Sequence, residues 1–168
     1  SGLTSGVVAV SAGGVHTCAV TTGGGVQCWG SNSSGQLGDG TTSARTIPVP
    51  VSGLSSGIVA IDGGGGHTCA VTGGGAVQCW GANSWGQLGD GTTANQLVPG
   101  PVNGLTGEAV AVTAASSHAC ALTSHGGVQC WGANWTGQLG NGTVTVDRTT
   151  PVSVTALGHD VATVAAGW

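Results

Sequence analysis

The stretch that decides the fold runs Gly13-Gly14-Val15-His16-Thr17-Cys18-Ala19-Val20, turns at Gly23-Gly24-Gly25, and returns as Val26-Gln27-Cys28-Trp29-Gly30. Two β-favouring runs on either side of a glycine turn read as a hairpin. A turn centred on Gly23 sets Cys18 directly opposite Cys28. Side chains alternate along a strand, so His16 and Val20 share the face of Cys18, while Trp29 points to the other face, opposite Thr17.

The same stretch returns at intervals of 51 residues. His16 recurs as His67 and His118, Cys18 as Cys69 and Cys120, Cys28 as Cys79 and Cys130, and Trp29 as Trp80 and Trp131. Gly35 recurs as Gly86 and Gly137, and Gln36-Leu37-Gly38 as Gln87-Leu88-Gly89 and Gln138-Leu139-Gly140. Each unit opens on a short apolar run, Val7 to Val10 in the first, and closes on a segment such as Pro48-Val49-Pro50-Val51, whose prolines suit only an edge strand. Four strands per unit is the content of one propeller blade.

The sequence therefore predicts an all-β chain of three four-stranded propeller blades, at approximately residues 1–51, 52–102 and 103–153. Residues 154–168 read as the start of a fourth repeat, with Val8-Ala9 recurring as Val161-Ala162 and Gly14 as Gly167. Closed propellers use about four to eight blades, so the expectation is an incomplete ring or an open array. Exposed strand edges recruit further strands, and contact between unlike ends gives a ring or a filament. The expected partners are other copies of the chain or the rest of a longer repeat chain.

Composition agrees. There are 22 Val and 3 Ile against 9 Leu, 35 Gly, and no Met, Phe or Tyr; β-branched residues suit a pleated surface, and glycine suits turns. Two Arg, no Lys and six acids supply no basic stripe for phosphates, which argues against nucleic acid as a partner. No run of 18 apolar residues exists, so no spanning helix and no membrane insertion are expected. Six Cys in so small a chain point to an oxidising compartment, extracellular or at the cell surface.

The runs "GGVHTCAV" at Gly13 to Val20, "VQCWG" at Val26 to Gly30 and "GQLGDGT" at Gly35 to Thr41 resemble the repeats of the regulator of chromosome condensation family. The resemblance covers essentially the whole chain. It implies a propeller, usually seven-bladed in that family. Two Cys per repeat depart from the eukaryotic nuclear members and are similar to secreted bacterial versions of the repeat.

Two readings of the cysteines compete. Directly opposed β-carbons lie about 4.5–5.5 Å apart, a spacing that small adjustments make compatible with disulfides Cys18–Cys28, Cys69–Cys79 and Cys120–Cys130. Alternatively His16, Cys18 and Cys28 present a partial zinc set, but no fourth ligand recurs. The sequence thus assigns no metal and no cofactor. The resemblance implies that His16 bonds backbone within its own blade. Trp29, Trp80 and Trp131 read as packing between blades. Trp85 and Trp135 sit on turns at positions that do not match, which marks them as candidate contact residues.

Asp39, Asp90 and Asn141 each read as bonding their own turn, since a calcium loop needs several oxygens. Paired carboxylates and a nucleophile elbow are both missing from the sequence, so no catalytic residue is assigned. The expectation is an extracellular structural or adhesive scaffold. The alternative is a specific protein binder, because a secreted inhibitor similar to the family binds through blade loops. Nucleotide exchange, the activity of the nuclear members, fits poorly with the absence of Lys and the presence of Cys pairs.

Overall fold

Twelve β-strands and no helix carry the described residues. The structure, a computed structural model, describes residue 3 and residues 5–167. Residues 1, 2, 4 and 168, which the repeat frame assigns to the first and fourth units, lie outside that description.

The first blade is β1 (Val7–Ala12), β2 (His16–Thr21), β3 (Val26–Gly30) and β4 (Arg45–Pro50). The second is β5 (Ile58–Gly63), β6 (His67–Thr72), β7 (Val77–Gly81) and β8 (Gln96–Pro101). The third is β9 (Ala109–Ala114), β10 (His118–Thr123), β11 (Val128–Gly132) and β12 (Arg148–Ser153). Each is an antiparallel sheet in chain order, and the prolines of β4, β8 and β12 fall on its outer edge. The hairpin register is the one the glycine turn dictates: Cys18 pairs with Cys28 and Thr17 with Trp29, and the other two hairpins repeat this.

The inner strands β1, β5 and β9 lie against one another. The first interface is closed by Val20, Val26, Leu37 and the Cys18–Cys28 pair, against which Ile58, Ile61 and Trp80 of the second blade pack. The second repeats this with Ala109, Val112 and Trp131 of the third blade. Main-chain bonds cross both interfaces, among them Ile58 N to Gly24 O at 3.0 Å and Ala109 N to Gly75 O at 2.9 Å. Asp62 ties all three inner strands together. Its carboxylate accepts from Ser11 Oγ at 2.7 Å and from Ala114 N at 2.8 Å.

The third blade departs from the period. β8 begins 51 residues after β4, but β12 begins one residue later than that interval, at Arg148. The extra residue falls in the loop before β12, where Thr145 takes a left-handed φ of 64°. Everything downstream shifts with it. Thr155 N bonds Gly140 O as Ser52 N bonds Gly38 O and Asn103 N bonds Gly89 O. Val161 and Val164 pack on the third blade in the places that Ile58 and Ile61 take on the first. Val161 thus occupies the slot of Val7, not of Val8. An unshifted register would put Asp160 and Thr163 into that apolar seat.

Candidate protein-contact site

The long turn between the third and fourth strands of each blade is organised by two side-chain amides, buried except for Gln138, which is half-buried. Asn32 Oδ1 accepts from Leu37 N at 3.0 Å, and Asn32 Nδ2 donates to Asp39 Oδ1 and to the carbonyls of Thr41 and Ser43. Gln36 Oε1 accepts from Ser34 N at 2.9 Å. Asn83 with Gln87, and Asn134 with Gln138, repeat the pattern. Sequence reasoning noted that Gln36, Gln87 and Gln138 recur but missed their role and that of Asn32, Asn83 and Asn134; strict spacing of a polar side chain inside a turn was the available signal. Asn32 and Asn134 lie in glycosylation patterns, yet both are buried with their amides engaged.

Asp39 closes the turn on itself, accepting from Thr41 N at 3.0 Å, and pairs with Arg45 at 2.8 Å. Burial works against its charged form. Bonds from Thr41, Arg45 and Asn32 outweigh this and hold its carboxyl below the usual range. Asp90 is held down in the same way, by Thr92, Asn83 and Gln96.

Each pair of cysteines placed opposite by the hairpin is bonded, with S–S distances of 2.10, 2.09 and 2.10 Å. The His16 ring differs from the expectation of a backbone partner within its blade. Its Nε2 lies 2.7 Å from Thr68 Oγ1, a side chain of the next blade. The His67 ring has no polar partner among the described residues, because Ala119 stands where the first interface has Thr68. Burial lowers the His16 ring to about 4. Burial and the neighbouring histidines lower His67 to about 3.

Trp80 and Trp131 are fully buried between blades and donate their indole N–H to Gln36 O at 3.0 Å and Gln87 O at 2.9 Å. Trp85 and Trp135 behave differently. They converge from the turns of adjacent blades into an edge-to-face pair, centroids 4.8 Å apart, yet remain 42% and 48% exposed. Two aromatic rings held together at the surface form a preorganised apolar contact.

The family described as Regulator of chromosome condensation (RCC1) repeat matches over residues 23–71, 74–122 and 125–168. The chain belongs to the RCC1 repeat family. It is 39% identical over 162 residues to the ultraviolet-B receptor UVR8 of Arabidopsis thaliana, covering 95% of this chain and 37% of that one. It is 36% identical over 155 residues to the human E3 ubiquitin-protein ligase HERC2, covering 90% of this chain and 3% of that protein. The chain thus spans little more than a third of UVR8 and a small fraction of HERC2. Among solved structures, Prp20p of Saccharomyces cerevisiae aligns with a TM-score of 0.80 at 21% identity, over 89% of this chain and 38% of its own, which shows the fold. Prp20p was characterised for its binding to Gsp1p and histones. The three four-stranded sheets here align with part of that propeller and are not closed into a ring. No helix among the described residues is long and apolar enough to cross a membrane.

Proposed function

We propose that this RCC1-repeat chain is a disulfide-stapled, extracellular scaffold that acts by joining further blades and binding protein, with no catalysis of its own. Its repeats are taken as approximately residues 1–51, 52–102 and 103–153, the extra residue of the third unit moving the opening of the fourth from 154 to 155. The observation that carries the reading is the mismatch between the end faces and the inner interfaces. Trp80 and Trp131 are buried against the Gln-Leu-Gly turn of the preceding blade, whereas Trp29 is only partly buried. At the other end, no indole among the described residues donates to Gln138 O as Trp80 and Trp131 donate to Gln36 O and Gln87 O. The first blade offers a tryptophan and the third offers its seat. Continuing repeats or a second copy of the chain supply both partners.

Three disulfides support an oxidising location. Alkylation of the natural protein without reductant is expected to label no cysteine. Six labelled cysteines would overturn the extracellular assignment. A tagged copy should retain an untagged one, and Trp29→Ser should weaken that retention; failure of wild type to retain any copy would leave only the continuing chain as partner.

A second reading, a binder of one specific protein, is favoured by the Trp85–Trp135 pair. Nothing in blade packing calls for these rings, and they are already assembled.

A further inference from the structure

The departures from repeat symmetry cluster at one place. At the two turn positions in question the first blade has Ser33-Ser34, the second Ser84-Trp85 and the third Trp135-Thr136. The turn itself does not distinguish them. Ser34 N, Trp85 N and Thr136 N each donate to the following glutamine Oε1 at 2.9 Å. Either tryptophan can therefore be serine without loss of turn geometry, and their convergence needs another explanation.

The third blade adds a cation that forms no ion pair among the described residues, on the segment that runs between their turns. In the first blade Arg45 Nε donates to Asp39 Oδ2 at 2.8 Å, and in the second Gln96 Nε2 takes the same carboxylate position on Asp90 at 3.3 Å. In the third, Asn141 replaces the aspartate, and its Oδ1 accepts from the Thr143 N–H and hydroxyl. Arg148 is left without a carboxylate: among the described residues the one ion pair is Arg45–Asp39, and Arg148 Nε is buried with no partner. The segment around Arg148 runs between the two tryptophan turns. Asp147 Oδ1 accepts from Asn134 N, the residue before Trp135, at 2.8 Å. On the other side, Arg148 O and Thr149 Cα lie 3.0 and 2.8 Å from where a Cβ on Gly86, the residue after Trp85, would stand. The extra residue of this blade completes the cluster, leaving Val144 exposed beside Gly137.

Resting on the protein-binding reading, we propose that Trp85, Trp135 and Arg148 form a docking site for an acidic peptide segment of another protein. An apolar residue of that segment seats on the ring pair, and its neighbouring carboxylate meets the guanidinium. Charge complementarity selects this occupant: Arg148 forms no ion pair among the described residues, its sequence neighbour Asp147 accepting from Asn134 N instead, and the chain's other cation, Arg45, is already paired.

The test is a random-dodecamer phage library panned on the disulfide-intact chain, on Trp85→Ser/Trp135→Ser and on Arg148→Gln. These substitutions restore residues the first and second blades use at the same places. Recovered peptides should carry Asp or Glu beside an apolar residue. They should be lost on the double-serine variant and bind Arg148→Gln about tenfold more weakly. Peptides lost on the serine variant but without excess acid would remove the acidic partner and leave the rim contact standing. Peptides that still bind the serine variant, or no enrichment at all, would remove both.

Discussion

Gly38 shows how much one residue decides. Its φ of +67° is left-handed, and a Cβ there would stand 2.7 Å from Trp80 Nε1 and 2.8 Å from Val51 Cγ1. The blade stack needs glycine here because the next blade's indole lies on it. Gly53 has a similar φ of +76° but nothing within 4 Å. Gly53→Ala should therefore cost about 1 kcal/mol of backbone strain alone. Gly38→Ala adds overpacking and should cost about 2–4 kcal/mol. Urea unfolding of the two variants compares them, and equal losses would show that Trp80 does not bear on Gly38. The histidines set a second expectation. The rings of His16 and His67 are lowered from 6.5 to about 4 and about 3, so their neutral forms contribute stability that is complete above pH 6.5. That stability is lost as pH falls from 6.5 towards the folded values, with about 1.4 kcal/mol per unit of depression. Asp39 and Asp90, lowered from 3.8, keep their contribution throughout that window and lose it only below it. The melting temperature should fall between about pH 6.5 and 4, and His67→Gln should flatten the fall. A flat profile in the wild type would contradict neutral burial of these rings.

Each hairpin is closed twice, by its glycine turn and by a bridge across it. The bridge closes a short loop, so the chain-entropy contribution is about 2–3 kcal/mol. Cys69→Ser/Cys79→Ser removes the central staple, and its denaturation midpoint should drop by a corresponding amount. No change would assign the hairpin's stability to blade packing alone. The hairpins were fully legible in the sequence, since a glycine turn and period-two alternation fix both register and facing. The long turns were not. Their order comes from Asn32 and Gln36 bonding backbone groups up to eleven residues away, which periodicity does not report. The extra residue of the third blade was hidden because it lies beyond Thr143, the last regular mark, so the match of Val161 with Val8 slipped by one. That Trp85 and Trp135 meet depends on how one blade is rotated against the next. Their mismatch with the repeat was visible; their contact was not.

At the scale of the whole molecule, the repeat makes every inner interface the same: a tryptophan on a glycine turn, apolar residues of an inner strand against a bridged hairpin, and main-chain bonds between blades. The same logic leaves Trp29 at one end and the Gln138–Gly140 seat at the other without their counterparts among the described residues. Apolar and hydrogen-bonding groups shaped to one another are a poor surface to leave in water. The few charges of the chain do little to keep such faces apart. Light scattering of the isolated, oxidised chain at micromolar concentration is the most direct measurement of whether these faces join. The account predicts masses that are multiples of 15.9 kDa, with Trp29→Ser shifting the population to the single chain. A folded, stable 15.9 kDa monomer with no tendency to associate would contradict the joining of copies through these faces.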